Sequence, residues 1–253
     1  MNTTRITLLA GLLFLALTSF ASAAPVELLL DKSEIEISTF YNGSTIQATG
    51  TVPAGSEAVI RVSGKDEELH LKKKGKVGGL LWMNVGDLTI EHAPKIAMLY
   101  TSAEGQAILN DSGARVGLES LRDRIRVLPE EEDKGFVFNE FLKMKKHDGV
   151  YAEFPGTVTY SEQPGGGRRF QASLLIPPRM SEDDYAVEVL AIRDGQHIGK
   201  AGANLRVKMV GFPEQLSRMA FQRSLLYGVF SVVIAVAAGL IMGALFRGKG
   251  GAH

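Results

Sequence analysis

Residues 224–246 read SLLYGVFSVVIAVAAGLIMGALF and contain no charged side chain. At about 1.5 Å per residue such a helix is roughly 34 Å long, which covers a hydrocarbon core of about 30 Å with some tilt. A water-soluble fold has little use for a helix that is apolar on every side, so this run is read as a transmembrane helix. Tyr227 lies near one end, and Arg247 and Lys249 follow the other, where interfacial anchors are expected. Arg218 and Arg223 precede the run and balance those two cations, so positive charge alone does not orient the helix.

The same run holds Ser224, Gly228, Ser231, Ala235, Gly239 and Gly243 at intervals of three or four residues, with a GxxxG match at its end. Small residues on one stripe let a second backbone come close in lipid. The stripe is therefore a candidate helix-packing face, and its partner is expected to be an integral membrane protein or a second copy of the chain. Glycine and alanine are also common in membrane helices for no such reason.

The orientation comes from the other end of the chain. Arg5, the apolar run 6–17 and Ala21-Ser22-Ala23 have the form of a secretory signal peptide over residues 1–23, cleaved after Ala23. An uncleaved N-terminal membrane helix is the alternative, and both export the middle of the chain. With no cysteine anywhere, the exported part has no disulfide, no thiolate metal site and no lipoprotein anchor. A bacterial inner-membrane protein is expected, single-pass, with the bulk of the chain periplasmic and residues 247–253 as a cytoplasmic tail.

Between the two apolar ends the chain is β-like. VELLL, SEIEIS, STIQATGTV, EAVIRVSG, EELHLKK, LLWMN and KIAMLYTS alternate or are rich in β-branched residues, and turn signals such as Asn42-Gly43 separate them. They predict a first immunoglobulin-like β-sandwich module over residues 24–102. Helical spacing at 118–128 and 136–147, with an acidic loop at 130–133 between them, predicts a helical connector at 103–149. Strand patterns resume over residues 150–210, with turns at Gly165-Gly166-Gly167 and Asp194-Gly195, and predict a second sandwich module. Ile46-Gln47-Ala48 with Val52-Pro53, and Phe170-Gln171-Ala172 with Ile176-Pro177, share one spacing and hint at two copies of one fold. Residues 211–223, opened by Pro213 and Glu214, predict a juxtamembrane amphipathic helix.

Chemistry is sparse. The five histidines stand singly, and no phosphate-binding loop, nucleophile elbow or metal-ligand spacing is present. No catalytic residue, metal or cofactor is expected, and zero formal net charge gives no reason to expect nucleic acid. The unusual stretch is HLKKKGKVGGLLWMN, residues 70–84. Lys73, Lys74 and Lys76 with Trp82 are candidates for an anion or partner contact; the plainer reading is an edge strand protected by lysine, with Trp82 in the core.

The order of these features resembles a known family. Lys73, Lys74 and Lys76 with Gly79, Trp82 and Asn84, then FNEFLKMKKHDGVY, RRFQASLLIP, DYAVEVLAIRDGQHI and the apolar tail are similar to segments of an uncharacterised proteobacterial family of transmembrane proteins, of the alphaproteobacterial type. The resemblance implies no catalytic residues. It does imply an accessory role for a permease of the sulfite-exporter type, beside which such proteins are often encoded. A membrane-anchored extracytoplasmic binding or accessory protein is thus expected, with an envelope structural or chaperone-like protein as the alternative and an enzyme or solute-capture protein as a third reading.

Overall fold

The computed structural model describes residues 25–111, 113–162 and 167–246. The signal peptide expected at 1–23, the tail at 247–253 and Gly165-Gly166 lie outside the described residues.

Apolar alternation decides most of the elements. In STIQATGTVP (β3, Ser44–Pro53) the residues Ile46, Ala48, Gly50 and Val52 face inward while the intervening Gln47, Thr49 and Thr51 stay partly solvated. GRRFQASLLI (β11, Gly167–Ile176) does the same with Phe170, Ala172, Leu174 and Ile176. Together with β1 (Glu27–Leu30) and β10 (Val158–Glu162) these strands form a four-stranded antiparallel sheet in the order β1-β3-β11-β10.

The second sheet has six strands. β2 (Glu34–Ile37), β13 (Gln196–Met209), β12 (Asp183–Arg193), β4 (Glu57–Ser63), β7 (Ala97–Tyr100) and β9 (Tyr151–Phe154) lie in that order, and only the outermost pairs, β2 with β13 and β7 with β9, are parallel. Residues of both sheets, among them Ile46, Phe170, Ile60 and Val189, enter one hydrophobic core. The chain is thus mostly β, with one long apolar helix at its C-terminal end.

The pairing corrects the expectation of two modules divided near residue 150. β3 pairs with β11 over ten positions, and β4 pairs with β12 from Ser63↔Ala186 to Glu57↔Ile192. Both sheets therefore mix strands from the two halves, and neither half keeps a core of its own. The internal echo has a different meaning from the one expected. Ala48 sits opposite Ala172, so the two matching strands lie side by side at a local two-fold axis. β1, β3, β4 and β7 on one side correspond to β10, β11, β12 and β13 on the other.

The helical connector is corrected as well. In the stretch 118–128 only a 3₁₀ turn (Leu118–Ser120) and one α turn (α2, Leu121–Arg124) form, since Ile125 turns extended and β8 (Arg126–Leu128) follows. A single-turn helix at Gln106–Leu109 (α1) precedes them. The second helix is α3 (Lys134–His147), capped by the Asp133 carboxylate, which accepts from the Phe136 N–H. Its Val137, Phe138, Phe141 and Leu142 are buried, and Phe141 meets the Tyr151 ring edge-on at 5.7 Å. It is therefore part of the body's core and does not link two cores.

The turn signal Asn42-Gly43 closes no hairpin: it carries the chain from β2 in one sheet to β3 in the other, with Gly43 at φ 92°. Asp194-Gly195 does close one, between β12 and β13. β13 then leads through α4 (Phe212–Gln222) into α5 (Ser224–Phe246).

Because β11 and β12 take their neighbours β3 and β4 from the first half, a fragment of residues 150–210 is expected to stay unfolded alone. Mixing it with a fragment of residues 25–149 should restore β-sheet circular dichroism with a cooperative transition. A cooperative transition in the isolated fragment would refute the interleaved fold.

Candidate functional site

Between β4 and β7 the chain makes a long excursion. β5 (Asp66–Val77) and β6 (Leu81–Pro94) form an antiparallel hairpin that prolongs the β4–β7 pair past the end of the six-stranded sheet. The junction is continuous: Gly64 N–H donates to the Ile96 carbonyl and Lys95 N–H to the Lys65 carbonyl. At about 3.3 Å per residue the twelve residues of β5 reach roughly 40 Å from that edge.

The base of this arm is held from several sides. β8 pairs with β6 from Thr89↔Leu128 to Glu91↔Arg126, and Ile90 and Ala93 are buried. Tyr151 donates its hydroxyl proton to the Pro94 carbonyl at 2.6 Å, and burial pushes that phenol well above its ordinary pKa, so it stays a neutral donor. From α3 the buried Lys145 reaches Glu67 at 2.5 Å, with its ammonium 5.8 and 5.7 Å from the Phe141 and Tyr151 ring centres, and Arg124 pairs with Asp66. Asp183, only 10% exposed, accepts from Lys65 Nζ at 2.5 Å and from Lys95 Nζ at 2.8 Å. Those two bonds, the Lys65 bond first, hold its carboxyl far below the usual carboxylate range. Glu67, Lys95, Lys145, Arg179 and Tyr185 also line a shallow polar cleft of about 280 Å³ beside the arm.

The distal half is bare. From Leu81 to Asp87 every residue of β6 is exposed, and so are Val77 at 49%, Leu80 at 87% and Trp82 at 67%. The expectation of a core position for Trp82 is thereby corrected: the distal part of its strand has only β5 beside it. Of the four lysines, Lys72 pairs with Asp87 and Lys73 with Glu132 at 2.7 Å, whereas Lys76 rests 5.4 Å over the Trp82 ring. Among the described residues Lys74 has no ionic partner. Lys73 thus ties the arm to the acidic loop, while Lys74, Lys76 and Trp82 come together at the tip. Sequence reading missed Val77, Leu80, Leu81 and Met83, for which Gly78-Gly79 inside an apolar run was the available sign of a turn that leaves both strands exposed.

A second polar group lies between the sheets. Tyr160 donates to Glu57 at 2.8 Å and accepts from the Ala58 N–H, Ser102 donates to the same Glu57 oxygen at 2.7 Å, and the Arg168 guanidinium lies 3.8 Å from the Tyr160 ring centre. Burial first, and Glu57 after it, pushes the Tyr160 phenol upward. The Glu57 carboxylate thus accepts from both hydroxyls and joins β4 to β10.

α5 keeps the bounds expected from the sequence, carries no charged residue, and is exposed along its whole length. A β-carbon placed at Gly228, Gly239 or Gly243 would meet no atom within 4 Å, so the face containing Ser224, Ser231 and Ala235 is not covered by the body. Ser231 bonds the Tyr227 carbonyl at 2.8 Å and so hides its polarity within the helix. Of the histidines, His70 meets Thr89 and His197 meets the Ala114 carbonyl, and no group of three metal-binding side chains occurs among the described residues.

The model of one family, described as "Putative transmembrane protein (Alph_Pro_TM)", matches residues 25–248. The chain belongs to that family, and it is a membrane protein with one candidate membrane-spanning helix near its C-terminus. No curated protein matches it.

Asp183 is expected to contribute to stability at the arm's base. Its folded pKa is depressed, so its stabilisation is complete above the unfolded value of about 3.9 and fades as pH falls below that. Asp183→Asn is expected to lower the unfolding free energy of the detergent-solubilised chain by about 1 kcal/mol at neutral pH, since both lysines still reach solvent. The difference from wild type should shrink as pH drops below about 4. Urea unfolding followed by circular dichroism tests this; a difference that does not change with pH would assign the effect to packing.

Proposed function

We propose that this member of the family is a single-pass accessory protein of the bacterial inner membrane, with its β-sandwich body on the extracytoplasmic side and α5 packed against an integral membrane protein. The observation that carries the reading is α5: it is joined to the body only through α4, it is exposed along its whole length, and its small-residue face is uncovered. In lipid no hydrophobic effect drives helices together, so a face of glycine, alanine and serine matters only to a helix that fits it. A permease of the sulfite-exporter type suits the resemblance of the sequence, and a second copy of the chain would satisfy the same face. The reading assigns the chain no catalytic step and no cofactor; the polar group around Glu57 acts between the two sheets.

Two measurements test this. Under the proposed topology, a reporter active only outside the cytoplasm should work when fused after Val210 and fail when fused after His253; the reverse pattern would overturn the topology. Gly239→Leu with Gly243→Leu should leave membrane insertion and the circular dichroism of the body unchanged and reduce recovery of the membrane partner at least tenfold in detergent co-purification at matched expression. Equal recovery of the same partner by both forms would show that α5 serves as an anchor only.

A further inference from the structure

We infer that the tip of the β5–β6 hairpin docks on the bilayer that holds α5, in the headgroup region, and prefers anionic headgroups. This goes beyond the accessory reading and needs only that α5 be in a membrane, so it stands or falls separately from recovery of a partner.

The pairing sorts the tip into two faces, because residues directly opposite in an antiparallel pair share a side and neighbours alternate. Lys76↔Trp82 and Lys74↔Asn84 lie on one face, and Gly75↔Met83 and Val77↔Leu81 on the other. Val85 is the extra residue at a register shift, and its side chain comes within 2.9 Å of the site of a β-carbon at Gly75. The tip is thus a ribbon with an apolar side, a Trp–Lys side and Leu80 at the turn. A two-stranded ribbon with both sides in water is marginal, and nothing in the body covers this one.

Charge and composition favour lipid over protein. Residues 69–86 contain four lysines and no acidic residue. The two lysines nearer the body are matched by Asp87 and Glu132, while Lys74 and Lys76 farther out are not matched. Lysine is depleted from protein–protein interface cores, whereas tryptophan at headgroup depth with lysines extending toward phosphates is the arrangement a bilayer surface selects.

The strand directions bring the tip and the membrane to the same end of the body. β4 and β13 both run antiparallel to β12, and therefore parallel to each other. β4 ends at Ser63, paired with Ala186, and β13 ends just past Val207, paired with Asp183. The arm and the chain leading to α5 thus leave the six-stranded sheet from one edge, the edge marked by Asp183.

Trp82 is the only tryptophan, so its fluorescence reports the tip alone in the full-length chain. The protein would be reconstituted in vesicles of phosphatidylcholine mixed with phosphatidylglycerol, with and without bromine on the acyl chains. In the anionic vesicles, Trp82 emission should be shifted to the blue, shielded from aqueous iodide and mostly quenched by the brominated lipid. Vesicles of phosphatidylcholine alone should give a markedly smaller effect. Lys74→Glu with Lys76→Glu should restore most of the emission in brominated vesicles while the circular dichroism stays that of wild type. Emission open to iodide and indifferent to bromination would overturn the proposal. Shielding that rises with the protein-to-lipid ratio, without bromine quenching, would assign the tip to a second copy and overturn it equally.

Discussion

The ladder between β3 and β11 is the contact on which the rest of the body depends. It joins residues 44–53 to residues 167–176, with Gln47 and Ser173 exchanging side-chain hydrogen bonds of 2.9 and 3.1 Å across it. β1 pairs with β3 and β10 with β11, so this ladder is what joins two antiparallel pairs into one sheet, whose Ile46, Ala48, Phe170 and Leu174 enter the shared core. It also requires close backbone approach. A β-carbon at Gly50 would lie 1.9 Å from the Glu27 carbonyl oxygen and 2.6 Å from the Phe170 ring, so any side chain there would force β1 and Phe170 apart. Closing so long a loop costs only about 0.6 kcal/mol more for each doubling of its length, a term that burial of one large side chain offsets.

The arm shows how sharply burial can end along one pair of strands. Up to Ile90 its residues have β8, α3 and the Asp183 lysines against them; beyond Asp87, apart from the Lys73–Glu132 pair, they have only each other. Fixing the backbone of a residue costs about 1–2 kcal/mol, and cross-strand pairs return roughly 0.2–1 kcal/mol each. The distal ribbon is therefore held in register mainly by its clamped base. An extension with that balance gains by meeting a surface, since the ordering is already largely accomplished at the base.

Local periodicity revealed the strands and the membrane helix because both are written within a few residues. α5 was legible to its last residue, since the only information needed is the absence of charge over a bilayer's thickness. Partner choice was not legible. Nothing in STIQATGTVP says that its neighbour lies in the second half and not in the same module, and two copies of a pattern fit separate or interleaved sheets equally well. Trp82 failed for a related reason: LLWMN is apolar enough to be a buried strand, and its exposure depends on which elements the fold sets against it. Residues 118–128 had helical spacing, but β6 offered Val127 an extended partner, and one helical turn could not compete. The small-residue face and the Lys–Trp group were both visible as patterns, because each is a local arrangement of side chains.

An arm of this kind does not need to bind tightly. Near an anionic surface each lysine contributes about 1 kcal/mol, so Lys74 and Lys76 supply about 2 kcal/mol, and burial of Trp82 or Leu80 adds a comparable amount. A total of about 4 kcal/mol corresponds to a dissociation constant of about 1 mM, which would be invisible for a free protein. α5 changes the arithmetic, because a tethered group meets the surface at an effective concentration in the millimolar range. The same weak contact then becomes occupied about half of the time and stays responsive to ionic strength, which screens its lysine part within a Debye length of about 8–10 Å. Docking of the tip would fix the tilt of the body against the bilayer, and with it the side of α5 and of the sandwich that a neighbouring membrane protein meets. Anchor and arm together thus define an orientation that neither one defines alone.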